Sequence, residues 1–283
     1  MAQHVSRRVF FGTMAAATAL PRFGVQATSN PAAAPGTPTL KIGLASYSMR
    51  KFSLDKALEM AKSLNVTYMT FKDVHIPRTD PLETTHALRA KIEGAGITIM
   101  GGGTIDLPND PAQIRKAFEY AKSAGMPLIY TSPDPAALDT IEALVKEFDI
   151  KAVIHNHGPE DKWWPRPQDA YAAVKIRDKR MGLCMDIGHT LRTGTDPVQA
   201  VIECQDRLYD MHAKDLASKT DKDSQVEVGR GLIDFPALFR ALIKINYQGQ
   251  VGLEYEINEN DPLLGMTESI AYMRGVAAGI RNS

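Results

Sequence analysis

Short apolar or β-branched runs alternate with amphipathic stretches along the chain from Leu40 onward. The apolar runs have the length of β-strands, and they include LKIGLASYSM, KAVIHNHG, MGLCMDIGHT and QVGLEYEIN. Between them, stretches such as SLDKALEMAKSLN and DFPALFRALIKIN repeat apolar residues at i, i+3, i+4 and i+7, as an amphipathic helix does. Several of these stretches begin at Ser, Asp or Asp-Pro and end near Gly or Asn, which are the usual helix boundaries.

The alternation predicts a (β/α)₈ TIM barrel over residues 40–283, because strand and helix recur with a spacing of roughly 30 residues. An open, doubly wound sheet is the alternative, and it would place a Gly-rich phosphate loop after its first strand. The segment LASYSMRKFS is not such a loop, and the GGG at 101–103 does not match that fingerprint. In a barrel, the active site is expected where the strands end and the following loops begin.

The first 39 residues differ from the rest of the chain. Arg7 and Arg8 precede an apolar, Ala-rich stretch, and VQA at 25–27 has the small-x-small pattern of a cleavage site. This pattern is typical of a twin-arginine export signal over residues 1–27. Residues 28–39, rich in Pro, Ala, Ser and Thr, predict a linker. We therefore expect a periplasmic protein with no membrane attachment after removal of the signal peptide.

Charge and composition narrow the classes of partner. The 33 basic residues balance the 33 acidic ones, so the chain lacks the basic surface expected of a nucleic-acid-binding protein. A small-molecule substrate is the expected partner instead. The last amphipathic stretch, ESIAYMRGVAAGI, is apolar enough on its exposed face to suggest a homodimer.

Ionisable residues are concentrated at the ends of predicted strands 5 to 8. They are His155, His157 and Glu160 after strand 5, Asp186 and His189 after strand 6, His212 and Lys214 after strand 7, and Glu254 and Glu256 after strand 8. Residues two apart on a strand share a face, so each of these strands directs at least one such group into the barrel. Charged groups are rarely buried unless they are paired or bind a metal.

Three of these residues, Asp186, His212 and Glu254, predict a divalent-metal site on successive strands. A single histidine is more often a core or surface residue, but the repetition on neighbouring strands favours the metal. Carboxylates combined with imidazoles suit Mn²⁺, Zn²⁺, Co²⁺ or Fe²⁺ better than Ca²⁺, which prefers oxygen ligands alone.

The motifs HNHG, MDIGHT, YDMHAKD and VGRGLIDFPALFRALIKINYQGQVGLEYE resemble the xylose-isomerase-like sugar isomerase/epimerase superfamily. The resemblance runs from about residue 40 to the C-terminus, with its specific part on strands 5 to 8. It implies metal ligands at Asp186, His212 and Glu254. It also implies substrate contacts by His189 and by Arg230 in the VGRG segment.

Strand 5 departs from the family pattern. Relatives carry a glutamate ligand there, whereas this chain has His155-Asn156-His157. The fourth ligand is therefore His155 or, reaching back from the loop, Glu160, and we favour His155.

The departure also affects the expected proton transfers. Family epimerases use two glutamates as acid and base while the metal stabilises an enediolate. Without the strand 5 glutamate, His157 is the better residue for proton abstraction, because imidazole titrates near neutrality. Glu254 is then a ligand and a second acid or base.

Three further residues have two interpretations each. Lys214 and Lys72 stabilise an oxyanion, or they form ion pairs with the neighbouring Asp215 and Asp73. Trp163 provides an aromatic face for a sugar ring, or it packs in a surface loop.

The sequence thus predicts a metal-dependent sugar or keto-sugar isomerase/epimerase. Proton abstraction next to a carbonyl can also end in β-elimination, so a lyase or deglycosylase of 3-keto-glycosides is the alternative. A metallohydrolase is disfavoured by the neutral charge balance. A non-catalytic periplasmic sugar-binding barrel is disfavoured by the retained Asp186, His212 and Glu254.

Overall fold

A computed structural model describes residues 39–281 and shows eight parallel strands closed into a barrel. The strands are β1 (Lys41–Ala45), β2 (Tyr68–Phe71), β3 (Thr98–Leu107), β4 (Leu128–Pro133), β5 (Lys151–His155), β6 (Met181–Asp186), β7 (Leu208–Ala213) and β8 (Gln250–Leu253). Each strand pairs with its neighbours in the chain, and β1 pairs with β8 to close the barrel. The predicted (β/α)₈ barrel is confirmed. The predicted signal peptide, residues 1–27, and residues 28–38 of the predicted linker lie outside the described residues.

Helices occupy the connections between the strands. They are α1 (Leu54–Ser63), α2 (Leu82–Gly94), α3 (Pro111–Ser123), α4 (Leu138–Phe148), α5 (Pro167–Val174), α6 (Ile187–Arg192), α7 (Pro197–Glu203), α8 (Phe235–Lys244) and α9 (Leu263–Arg281). The connection from β6 to β7 contains both α6 and α7. Within residues 39–281, no helix combines the length and the apolar character that crossing a membrane requires.

Capping side chains explain where several helices begin. Ser53 accepts a hydrogen bond from a backbone N–H in the first turn of α1, and Asp110 and Asp234 do so for α3 and α8. Proline stands in the first turn of α3, α5, α7 and α8, where its missing N–H costs nothing. The Ser, Asp and Asp-Pro starts expected from the sequence are therefore present.

The barrel has an interior layer and an outer layer. Leu128, Tyr130, Val153 and Cys184 pack together inside the strands, where the Tyr130 hydroxyl donates to Asp210 Oδ2 at 2.7 Å. Burial raises the pKa of Asp210 to about 7. Alternate strand residues face outward and form the main apolar core with the helices. This alternation directs the last inward side chain of each strand to the barrel mouth.

Arg207, just before β7, hydrogen-bonds to the segment that connects α5 to β6. Its buried guanidinium donates to the backbone carbonyls of Val174, Lys175, Arg177, Asp178 and Met181. These groups lie at the amino-terminal end of the strands, opposite the expected active site.

The segment between β7 and α8 folds back on the barrel mouth. Residues Asp215–Leu216 and Gln225–Val226 form a two-stranded antiparallel ribbon, which we call the β7–α8 ribbon. The Gln225 side chain donates to the carbonyl of Glu254 at 2.7 Å and accepts from the N–H of Glu256 at 2.9 Å. The ribbon therefore fixes the backbone just beyond β8.

Candidate metal and catalytic site

Four side chains from β5 to β8 meet at the carboxyl end of the barrel. His155, Asp186, His212 and Glu254 are buried, and each offers a ligand atom within 4.8 Å of the others. His155 Nε2 lies 3.0 Å from His212 Nδ1 and 3.9 Å from Asp186 Oδ2. His212 Nδ1 lies 3.3 Å from Glu254 Oε2. We call these four residues the ligand cluster. The structure thus brings together the three residues expected from the sequence and the favoured fourth.

Local hydrogen bonds orient Asp186 within the ligand cluster. Its Oδ1 accepts from the His189 N–H at 2.9 Å, which caps α6. The Asn156 side chain accepts from the Asp186 N–H at 3.0 Å and donates to its carbonyl at 3.3 Å. With Oδ1 and the backbone engaged, Oδ2 is turned toward the other three ligand atoms.

The ligand cluster fits a divalent cation. Asp186 Oδ2 is buried and, within residues 39–281, has no hydrogen-bond partner. It lies 3.2 Å from Lys214 Nζ but outside hydrogen-bond geometry. Two imidazole nitrogens and two carboxylate oxygens form a ligand set that Zn²⁺, Mn²⁺, Co²⁺ and Fe²⁺ all accept.

Lys214 places a positive charge beside the same carboxylates. Its Nζ lies 2.8 Å from Glu254 Oε2 and 2.7 Å from Glu256 Oε1. Burial would lower the pKa of Lys214, but Asp186 and Glu254 outweigh that effect and raise it well above its usual value. The group is therefore an ammonium. The alternative pairing of Lys214 with Asp215 is wrong, because the Asp215 carboxylate accepts only backbone N–H groups of the described chain.

The protonation states of the ligand cluster suit cation binding. Burial opposes ionisation of Asp186 and Glu254, but Lys214 outweighs it and lowers the pKa of both carboxyls, that of Glu254 well below its usual value. Burial, with the nearby His157 and His212, lowers the pKa of His155 well below the usual range. His155 is therefore neutral, and both carboxyls are ionised. A carboxylate held in this form is a good ligand and a weak base, so Glu254 is better suited to binding than to proton abstraction.

His212 has the opposite shift. Burial would lower its pKa, but the adjacent Glu254 carboxylate outweighs that effect and raises it. A cation therefore has to displace a proton from His212 at pH values below the raised pKa, which makes binding weaker in acid.

A cavity of about 300 Å³ lies over the ligand cluster. His157, His189, Lys214 and Glu256 contribute to its wall, together with Lys72. Gly103, from the GGG segment at the top of β3 where the sequence suggests a turn or a close approach to a ligand, is also in the wall. Tyr47, Thr104 and Asp106 are further wall residues that were not expected from the sequence.

Two histidines of the cavity wall are placed for proton chemistry. His157 Nδ1 lies 3.3 Å from Asp161 Oδ2, and the side chain is 34% exposed, which leaves it accessible to a ligand. The His157 ring is 4.5 Å from that of His155 and 5.8 Å from that of His189. Burial lowers the pKa of His189 to about 4, so this imidazole is neutral near pH 7.

Lys72 reaches the cavity from β2. Its Nζ donates to the Thr104 carbonyl at 3.2 Å and lies 5.8 Å from the centre of the Tyr47 ring. The alternative pairing of Lys72 with Asp73 is wrong, since Asp73 faces Arg78 at 3.6 Å.

Three residues expected at the site do not line this cavity. Glu160 pairs with Arg192 and is 58% exposed. Arg230 donates to Glu268 Oε2 at 2.7 Å on the outer surface. Trp163 is 43% exposed and lies under the Lys162 ammonium at 4.1 Å. The loops that carry these three residues direct their side chains toward the protein surface rather than into the cavity.

Polar residues at the ends of β1 and β3 were the ones missed. Tyr47 in LASYSM and Asp106 in TIDL follow or end β1 and β3, so the strand-end rule applied to these strands would have indicated them. The contact of Asp161 with His157 was not predicted, because Asp161 belongs to a loop, where such a contact depends on backbone geometry rather than on strand alternation.

Comparison with known families gives one match that covers most of the chain. The family model described as "Xylose isomerase-like TIM barrel" matches residues 50–276.

Solved structures with sugar-epimerase names share the fold. The 3-keto-D-glucoside 4-epimerase from E. coli superposes with a TM-score of 0.68 at 19% identity, covering 83% of this chain and 99% of that chain. An L-ribulose 3-epimerase has a TM-score of 0.71 at 15% identity, covering 86% of this chain and 96% of that chain. At these identities the similarity shows the fold alone.

A curated relative matches a part of the chain. The rhizopine catabolism protein MocC of Rhizobium meliloti is 29% identical over an alignment of 157 positions, and the match covers 48% of this chain and 47% of that protein. The chain therefore spans about half the length of this relative.

Proposed function

The chain belongs to the xylose isomerase-like TIM barrel family, and from this membership and the site we propose that it is a divalent-metal-dependent isomerase or epimerase of keto-sugars. The convergence of His155, Asp186, His212 and Glu254 beneath a polar cavity carries the proposal. The epimerase names of two structural neighbours support sugars as the substrate class.

The four cluster residues would hold the cation through two nitrogens and two oxygens. Polarisation of a substrate carbonyl is the chemistry that a divalent ion supplies when bound there. His155 replaces a carboxylate by a neutral imidazole, so the cluster carries two negative charges, from Asp186 and Glu254. The Lys214 ammonium offsets part of that charge at 2.8 Å from Glu254.

We assign the proton abstraction to His157. Its ring lines the cavity, and the Asp161 carboxylate, with Oδ2 at 3.3 Å from His157 Nδ1 but outside hydrogen-bond geometry, places a negative charge beside the imidazolium that forms. As the C–H bond next to the carbonyl breaks, His157 takes the proton and the electron pair moves toward the carbonyl oxygen. Lys214 stabilises the developing oxyanion, and the neutral His189 donates a hydrogen bond to a substrate oxygen.

The place to which a proton returns decides the product. Return to the same carbon on the opposite face gives an epimer. Return to the former carbonyl carbon gives an isomer, because the hydroxyl on the deprotonated carbon loses its proton and becomes the new carbonyl. Where the carbon β to the carbonyl bears a glycosidic oxygen, the C–O bond breaks, its electron pair leaves with that oxygen, and the group departs as an alcohol after taking up a proton. The product is an unsaturated ketone, which is the lyase or deglycosylase outcome. All three begin with the step assigned to His157.

We also propose that the reaction takes place in the periplasm. The Arg7-Arg8 pair and the following apolar stretch support export. Exported protein would meet saccharides and glycosides as substrates.

The test combines metal analysis with isotope exchange. We expect the purified protein to contain close to one equivalent of divalent metal by elemental analysis. Incubation with 3-keto-glucosides in D₂O should introduce deuterium next to the carbonyl, as followed by NMR, and a chelator should stop the exchange. The same spectra distinguish epimer, isomer and unsaturated ketone. Metal-independent exchange, or no exchange with any keto-sugar, would contradict the proposal.

A His157→Asn variant tests the assigned base. Exchange should fall by roughly 10²- to 10⁴-fold, as is typical for loss of a general base, with the metal content unchanged. His86→Asn is the matched control, because His86 is an exposed histidine on α2. Equal exchange rates in the two variants would remove His157 from the mechanism.

A further inference from the structure

A second cavity opens beside the proposed active site. It has a volume of about 390 Å³ and lies between the carboxyl ends of β2 and β3 and the first turns of α3. Asp106, near the end of β3, lines both this cavity and the one over the ligand cluster. The two cavities therefore share Asp106 as a wall residue.

The wall of this second cavity has an apolar part and a polar part. Ile105, Leu107 and Ala117 provide buried aliphatic surface. Tyr120 adds an aromatic ring whose hydroxyl already donates to the Ile76 carbonyl at 2.7 Å. A sugar ring presents the same two characters, with C–H groups on its faces and hydroxyls around its edge.

The polar part of the wall has groups available for hydrogen bonds. Asp106 and Lys116 make no side-chain hydrogen bond or ion pair with any residue between 39 and 281, and Arg78 has only its 3.6 Å contact with Asp73. The two basic side chains of the wall balance its two acidic ones in charge; these four are Arg78, Lys116, Asp73 and Asp106. A neutral polyhydroxyl group suits this wall better than a phosphate, which would favour an excess of cations.

We propose that this cavity binds the second ring of a two-ring glycoside whose keto-bearing ring lies over the ligand cluster. The inference rests on the proposed function and adds the substrate class. Volumes of about 300 and 390 Å³ suit two units of similar size. Asp106, at the boundary, accepts hydrogen bonds from hydroxyls next to the glycosidic linkage.

Binding of unreactive glycosides tests the proposal without turnover. Methyl α-D-glucopyranoside and methyl α-maltoside have neither a keto group nor a reducing end, and the same is true of methyl β-D-glucopyranoside and methyl β-cellobioside, so no proton abstraction can occur. Titration calorimetry of the metal-loaded protein should give a Kd about tenfold lower for the two-ring member of at least one pair, equivalent to one or two additional hydrogen bonds. Equal Kd values within both pairs would overturn the proposal.

Substitutions in the cavity wall locate the effect. Thr79→Trp places a large ring at an exposed wall position and should abolish the advantage of the two-ring ligand. Lys116→Ala should reduce it by about threefold, the loss expected for one hydrogen bond. Lys122→Ala on the same helix is the control, since Lys122 is exposed and does not line the cavity. Equal weakening of one-ring and two-ring ligands by Thr79→Trp would contradict the assignment.

The two proposals fail separately. Absence of deuterium exchange with retained preference for two-ring ligands would contradict the isomerase chemistry and leave the second-ring site standing. Normal exchange on a one-ring keto-glucoside, with no two-ring preference, would contradict the second-ring site alone.

Discussion

The Lys214 ammonium lies within 3.2 Å of oxygens from three carboxylates, Asp186, Glu254 and Glu256. Strand alternation predicts that Lys214 points into the barrel with His212, and it does. The sequence cannot supply its partners, because they come from other strands and depend on register and side-chain length. Adjacent residues in the chain, such as Asp215, point to the opposite face. The predicted ion pairs of Lys214 and Lys72 with the next residue in the chain were therefore wrong. The predicted inward direction of the Lys214 side chain was correct.

Replacement of Lys214 by methionine should destabilise the metal-free protein. Asp186 and Glu254 would be buried without a counter-charge, and loss of one partner of a buried ion pair costs about 3–5 kcal/mol. Urea unfolding with a chelator should show this fall in the free energy of unfolding. Added Mn²⁺ or Zn²⁺ should stabilise the variant more than the wild type, because the cation replaces the missing charge.

Lys219→Met is the control for this experiment, since Lys219 is an exposed lysine in the segment after β7. Identical unfolding curves for Lys214→Met and Lys219→Met would show that Lys214 does not neutralise the cluster.

At the scale of elements, the segment after β7 shows what a motif can and cannot predict. VGRG suggested that Arg230 reaches a substrate, but the structure turns this arginine toward Glu268 on α9. The segment is fastened by the Asp215 carboxylate, which accepts from the N–H groups of Leu216, Gly229, Gly231 and Ile233. Gly229 has a φ of +96°, a conformation that favours glycine. Side-chain to backbone bonds of this kind leave no periodic pattern in a sequence, so the path of the segment was not predictable.

An Asp215→Ala variant should release this segment. Four backbone N–H groups lose a charged acceptor, and each such bond is worth about 1.5–3 kcal/mol. Local opening should then make trypsin cleavage after Lys219, Lys222 or Arg230 at least about tenfold faster. Fragment masses would identify the sites. Asp223→Ala, at an exposed position of the same segment, should be cut at the wild-type rate, and slow cleavage of both variants would contradict the anchoring role.

At the scale of the whole molecule, periodicity was sufficient for the barrel and for the site on its second half. Repeating strand and helix patterns predict the closed fold, and inward alternation predicts the ligand cluster. The second cavity was not predictable, because its shape depends on how the ends of β2 and β3 pack against α3. Ile105 and Tyr120, for example, have ordinary core patterns in the sequence and yet form part of a cavity wall.

The lowered pKa of the buried His189 makes the stability of the metal-free protein depend on pH. Above pH 6.5, His189 is neutral in both folded and unfolded chains. Between pH 6.5 and 4 the unfolded chain binds a proton that the folded chain excludes, since burial lowers the folded pKa to about 4. The contribution of His189 to the free energy of unfolding therefore falls by about 2 kcal/mol between pH 7.5 and 5. The lowered pKa values of His155 and His75, which are buried, act in the same direction, whereas the raised pKa values of Asp210 and His212 act in the opposite direction.

Urea unfolding at pH 7.5 and 5, with a chelator present, measures this dependence. His189→Asn should lose about 2 kcal/mol less than the wild type over this interval. His86→Asn, which removes an exposed histidine, should behave like the wild type. An unchanged pH dependence in His189→Asn would show that its protonation is not linked to folding.

The guanidinium of Arg207 holds five carbonyls together at the end of the barrel farthest from the ligand cluster. The contacts that hold this part of the barrel together and the proposed active site therefore lie at opposite ends of the barrel. Changes in the loops at the carboxyl end of the strands would leave the backbone contacts of Arg207 in place. Substitutions meant to raise stability are therefore best placed at the Arg207 end of the barrel, where they do not touch the proposed active site.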